Sequence, residues 1–152
     1  AIKYGYEVVN NESDIIPVVF AAYFHDSIED ARLTYNDVVS IAGRFMTNEQ
    51  CITAAEIVYA LTNDKGRTRK ERAGEHYYAG IRETPYAPFV KLCDRLANMT
   101  YCFNGTNDAN NHMHKVYASE WSHFIQAITV CNQDSRYSLP ASMVSEVQSL
   151  FA

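Results

Sequence analysis

From Ser13 onward the apolar residues recur at helical spacing, and run after run is opened by a residue that can cap a helix or closed by one that breaks it. Convincing strand patterns, with an apolar-polar period of two bounded by turn residues, are absent. A chain patterned in this way has one route to a core, which is helix packed on helix. Ser13 and Asp14 open "DIIPVVFAAYFHDSIED", with Pro17 still in the first turn, where a missing N–H is tolerated. This segment is apolar almost all round, so it is expected to be central and buried.

Further along, Thr34 with Asp37 and Thr47 with Gln50 have the spacing of capping boxes before two more helices. Gly66 breaks the polar stretch "TNDKGRTRKER", and the helix after it is stopped by Pro85. A long helix is expected from about Pro88 to Gly105, then a loop "TNDANN", a helix over "HMHKVYASEWSHFIQAITV" and a short one over "LPASMVSEVQSLF". The opening "AIKYGYEVV" has the pattern of a helix end whose beginning would precede Ala1. Repeats, low-complexity tracts and dividing linkers are absent, so 152 residues are expected to form one all-α domain.

Composition narrows the partners. A net charge of -5 argues against general nucleic-acid binding, whose affinity rests on neutralising phosphates. No apolar run has the length of a membrane span. Cys51, Cys93, Cys102 and Cys131 include no C-x-x-C pair, so free thiols in a reducing, cytoplasmic setting are expected.

Against that background "FHDSIED" is unusual, because it places His25, Asp26, Glu29 and Asp30 directly after the apolar segment. An isolated His-Asp pair most often marks a solvated helix end. Carboxylates beside a core, however, are costly unless paired or bound to a cation. If the helix continued, His25 and Glu29 would form one i, i+4 pair and Asp26 and Asp30 another. Far along the chain, "FVKLCDRLANM" presents Asp94 on an apolar helix with Asn98 four residues on, hence on the same face. That pairing suits a metal ligand with a hydrogen-bonding neighbour, or equally an acid salt-bridged to Lys91 or Arg95. Lys65, Arg67, Arg69, Lys70 and Arg72 stand against Glu71 alone; by composition such a run most often marks a solvated helix entry, but its place between the two motifs suits a phosphorylated ligand.

His112 and His114, two apart, fall on different sides of a helix, and His76 and His123 are lone histidines; none is read as a ligand. Tyr101, one turn beyond Asn98, is expected in the core, the alternative being a ring that stacks on a nucleobase.

"HDSIED", the basic loop and "VKLCDRLAN", in that order, resemble the HD-domain hydrolase module of the RelA/SpoT family, and within it the small stand-alone alarmone hydrolases. The resemblance runs from about Val18 to Met99. It implies an HD-domain helical bundle over residues 1–152 that lacks its first helix, with His25, Asp26 and Asp94 as metal ligands. It implies further that Glu29 and Asp30 position and activate water as catalytic residues, and that Asn98, Lys65 and Arg69 contact substrate. Mn²⁺ is the cofactor implied, in keeping with imidazole and hard carboxylate donors.

The family's fourth ligand, a histidine on the first helix, has no counterpart before His25; counting by the family's spacing puts it upstream of Ala1. The activity implied is removal of the 3′-pyrophosphate from (p)ppGpp-type nucleotides. Alternatives of the same superfamily act on NADPH or nucleoside 5′-monophosphates, and a non-catalytic nucleotide-binding or antitoxin-like protein would keep the binding alone. The expected partner is a small phosphorylated nucleotide, with a homo-oligomer left open and no membrane.

Overall fold

Residues 1–105 and 107–151 are described in the structure, a computed structural model. The expected helix end in "AIKYGYEVV" is instead a 3-10 turn, Gly5–Glu7, followed by a second, Glu12–Asp14. Gly5 and the branched pair Val8 and Val9 are weak helix formers, which disfavours a longer run. The side chain of Asn11, not of Ser13, starts the second turn by accepting from the Ser13 amide at 3.1 Å.

α1 (Ile15–Phe24) then buries one face only, through Pro17, Val18, Phe20 and Ala21. Tyr23 is 79% exposed and Ile15 and Ile16 are about half exposed, so the helix is not enclosed all round. Nor does it run on to Asp30. His25 and Asp26 form a turn, after which α2 (Ser27–Asp30) makes a single further turn.

α3 (Tyr35–Ala42) and α4 (Asn48–Leu61) both begin in complete capping boxes. Thr34 Oγ1 accepts from the Asp37 amide at 3.2 Å while Asp37 Oδ2 accepts from the Thr34 amide at 2.8 Å. Gln50 and Thr47 exchange the equivalent bonds at 3.0 and 3.3 Å. Such caps are worth about 1 kcal/mol each. They fix where the helices start; packing decides where they lie. Ala54, Ala55, Ile57 and Val58 of α4 are fully shielded, and α4 touches α1, α3, α6 and α7, which makes it the central helix.

The basic loop carries the four-residue α5 (Arg69–Arg72), capped by Thr68, and leads into α6 (Glu75–Glu83). α7 (Ala87–Asn104) has proline in its first turn and closes at Gly105, as its sequence signals require. α8 (Asp108–Ile128) starts inside the stretch expected as a loop, because Asn107 Oδ1 accepts from the Asn110 amide at 2.8 Å and caps it. Thr106 of that stretch lies outside the described residues. α9 (Ala141–Ser149) completes the bundle and buries Met143 and Val147.

One joint sets the angle of α7. Tyr86 has a left-handed backbone (φ 66°), a strained conformation for a bulky residue. It is held there by its amide donating to the Arg136 carbonyl at 2.6 Å and its hydroxyl donating to Asp14 Oδ2 at 2.5 Å. The start of α7 is thereby tied to the start of α1, and the two helices pack against each other. Among the described residues there is no strand, all four cysteines are free, and no helix is long and apolar enough to cross a membrane.

Candidate metal and phosphate site

The end of α1 meets the middle of α7 at His25. Its Nδ1 lies 2.9 Å from the Ala22 carbonyl, so that nitrogen carries the proton and donates it. Nε2 is thus directed at the acids: Asp26 Oδ2 stands 3.1 Å away and Asp94 Oδ1 3.4 Å away. Neither oxygen lies where a ring N–H could donate a well-directed hydrogen bond, and Nε2 is a buried atom without one. The break of the helix after Phe24 is what allows this, since adjacent side chains on a regular helix diverge by about 100°. The expected i, i+4 pairing of His25 with Glu29 is replaced by the meeting of His25 with Asp26 and Asp94.

Asp94 is the best-held acid of the group. Asn98 Nδ2 donates to its Oδ1 at 2.6 Å, and Lys91 Nζ donates to its Oδ2 at 2.9 Å. Burial works to raise its carboxyl, but the adjoining imidazole and ammonium outweigh this and hold it well below the usual carboxylate range. The imidazole responds in the opposite sense. Asp94 is the main cause that lifts His25 to about 9, against the effect of burial and with help from the Ala22 carbonyl and Asp26. Burial, with the negative charges of Asp94 and Asp30 nearby, raises Asp26.

Asp26 and Asp94 both line a cavity of about 570 Å³ walled by α5, α6, α7 and α8 and by Asn63 just beyond α4. Five cationic side chains enter its wall: Arg69, Lys70, Arg72, Lys91 and Arg95. Tyr77, Tyr78, Tyr117 and Phe124 supply aromatic surface, and Asn63 and Asn98 supply amides. Asp94 and His25 also border a second groove, of about 410 Å³, whose other walls include Ala22, Val90 and Ala97.

The sequence-expected residues divide accordingly. His25, Asp26, Asp94 and Asn98 come together, and Arg69 shares the cavity wall with Asp26, Asp94 and Asn98. Glu29 does not line the cavity; its carboxylate accepts from the backbone amide of Asn63 and from Asn63 Nδ2, the latter at 3.4 Å. Asp30 is exposed on α2, and Lys65 is exposed outside the cavity lining. Of the two ion pairs weighed for Asp94, Lys91 makes one, whereas Arg95 turns to Glu120. Tyr101, expected in the core, is 75% exposed.

Among the cavity residues to which the sequence assigned no role are Arg95, Tyr117, Glu120 and His123, the last set edge-on to Tyr78. A signal for them exists. Lys91, Asp94, Arg95 and Asn98 follow one helical strip of α7, and Glu120 is the single acid in the strip Tyr117, Glu120, Trp121, Phe124 of α8.

Among the described residues, no group of three or more His, Cys, Asp or Glu side chains is spaced as a formed metal site. The donor chemistry nevertheless suits a divalent cation. The imidazole is fixed through Nδ1 by a backbone carbonyl, as metal-ligating histidines are, and its Nε2 faces two carboxylates without a directed partner.

No family model matches the chain, and no solved structure matches it. Among curated proteins, the guanosine-3′,5′-bis(diphosphate) 3′-pyrophosphohydrolase MESH1 of Danio rerio is 30% identical to it over 94 residues, which are 60% of this chain and 48% of that protein. The chain therefore spans about half the length of the curated relative it matches.

Proposed function

We propose that this chain is a metal-dependent phosphohydrolase of the HD-domain, RelA/SpoT type that removes the 3′-pyrophosphate from (p)ppGpp-type nucleotides, with Mn²⁺ as its ion. The observation that carries the reading is the meeting of His25, Asp26 and Asp94 at the edge of a cavity walled by five cationic side chains. A polyanionic nucleotide needs such a wall, and its reaction needs a divalent ion beside it. The partial likeness to a pyrophosphohydrolase supports the same reading.

In this reading His25, Asp26 and Asp94 would hold the ion, which when bound supplies a water of lowered pKa and polarises a phosphoryl oxygen. Asn98 aims Asp94 through its 2.6 Å hydrogen bond, and Lys91 balances the carboxylate until the ion arrives. Glu29 and Asp30, on the turn that follows Asp26, would orient and deprotonate the attacking water, a role that requires the Glu29 carboxylate to leave the Asn63 amide. Arg69, with Lys65 at the outer part of the same loop, meets the substrate's phosphates.

The test is a release assay with and without Mn²⁺ over ppGpp, NADPH and nucleoside 5′-monophosphates. Pyrophosphate released from ppGpp in Mn²⁺ and abolished by chelator is the expected result. Turnover confined to NADPH or monophosphates would shift the assignment to the corresponding phosphatase. Nucleotide binding without turnover of any substrate would overturn the enzymatic reading.

A further inference from the structure

Glu120 of α8 lines the cavity, and the chemistry above gives it no task. Its carboxylate is gripped by two guanidinium groups. Arg69 Nε donates to Oε1 at 2.9 Å and Arg69 Nη2 to Oε2 at 3.0 Å, while Arg95 Nη1 donates to Oε2 at 3.0 Å. Two parallel N–H bonds from one arginine and a third from another are also the means by which proteins hold phosphate. The arginines are braced for it. Arg95 stacks over Phe124 at 4.1 Å and over Tyr117 at 4.7 Å, and Arg69 approaches the same tyrosine ring at 5.6 Å.

Arg95 is 6% exposed, and a guanidinium buried to that degree needs an anion beside it. That anion need not be Glu120. The Glu120 side chain is 31% exposed and the Arg69 side chain 51%, so a group in the cavity can reach both. Lys70 and Arg72 of the same short helix line the cavity and have no ion pair among the described residues.

We propose that Arg69 and Arg95 form an anion subsite for a phosphate group of the ligand, and that Glu120 is its resident occupant. Displacing Glu120 then makes the cavity select polyphosphorylated ligands over singly phosphorylated ones. This rests on the reading of the cavity as a phosphate-accepting site. A neutral group cannot replace a carboxylate between two arginines. A phosphate can, because it carries more charge and more acceptor oxygens than the carboxylate it replaces. A ligand with one phosphate has none to spare for this exchange, whereas a diphosphate can place its second group there, with Lys70 and Arg72 adding to the attraction.

Calorimetric titration of the metal-free protein, in chelator, with inorganic pyrophosphate and with inorganic phosphate tests the proposal. Glu120→Gln keeps the shape and removes the competing charge, so it is expected to bind pyrophosphate about tenfold tighter than the wild type. Arg69→Gln is expected to weaken pyrophosphate binding about fivefold, and in combination with Glu120→Gln to abolish the gain. Equal or weaker binding by Glu120→Gln, or a gain that survives in the double variant, would overturn the proposal and leave Glu120 as a brace between α5 and α8. Should Glu120→Gln fail to fold by circular dichroism, Glu120→Asp draws the carboxylate back by one methylene. It is then expected to bind pyrophosphate tighter than the wild type, and equal or weaker binding would refute the subsite. No metal and no turnover enter these titrations, so their outcome is independent of the Mn²⁺ assay.

Discussion

At the scale of single residues the site turns on Asp94. Its two oxygens face Asn98, Lys91 and the His25 ring, and it borders both the cavity and the neighbouring groove. Replacing it by alanine removes one of three candidate ligands and the main cause of the raised His25 pKa together. Asp94→Ala is expected to lose Mn²⁺ binding and reduce turnover by about a hundredfold or more, the lower bound being a loss of at least about 2.7 kcal/mol of transition-state stabilisation. Its helical content by circular dichroism is expected to match the wild type, because Asp94 bonds to side chains and not to the helical backbone. Turnover at the wild-type rate would place the ion elsewhere. That Asp94 and Asn98 share a face was legible from their spacing of four. That Lys91 and not Arg95 pairs with Asp94 was not, since one helical strip presents both and only the presence of Glu120 on α8 decides between them.

At the scale of elements, local chemistry sets the boundaries. Thr34, Thr47 and Asn107 each place a side-chain oxygen against amides of the first turn that have no partner within the helix. Thr47→Ala is expected to lower stability by about 1 kcal/mol in chemical denaturation without a change in the slope against denaturant. A loss below about 0.3 kcal/mol would mean that the packing of α4 fixes its start without the cap. The same reasoning explains the errors at element scale. "TNDANN" reads as a loop because Asn and Asp favour turns, yet these residues favour helix starts for the same reason, and Asn107 is one. The break at His25 and Asp26 has no proline or glycine to announce it. It accompanies the contact of His25 with Asp94 of α7, about 70 residues away in sequence, which local patterning does not register.

At the scale of the molecule, charge separated in the sequence is brought together across the cavity. Burial tends to raise the Glu120 carboxyl, but Arg69 and Arg95 outweigh it and lower its pKa. A carboxyl depressed on folding contributes stability that is present above its unfolded pKa, about 4.3 for glutamate, and is lost as pH falls through the lower folded value. Acid denaturation of the wild type is therefore expected to steepen below about pH 4.3, and Glu120→Gln to show a shallower decline over the same range. Coincident acid limbs for the two proteins would show that the pair contributes little to the folded state. The network is partly exposed, so salt is expected to weaken it.

The helices, most of their starts and stops and the pairing of Asp94 with Asn98 were determined by the sequence alone. Each depends on residues within a few positions of one another, where spacing and capping chemistry act directly. The convergence of His25 and Asp26 with Asp94, the enclosure of Arg95 and its capture of Glu120 were decided only by tertiary structure. Those contacts join residues 25 or more positions apart, and they exist because Tyr86 fixes α7 against α1 while α8 closes the cavity. Periodicity tells which face of a helix is buried; it does not tell what that face meets.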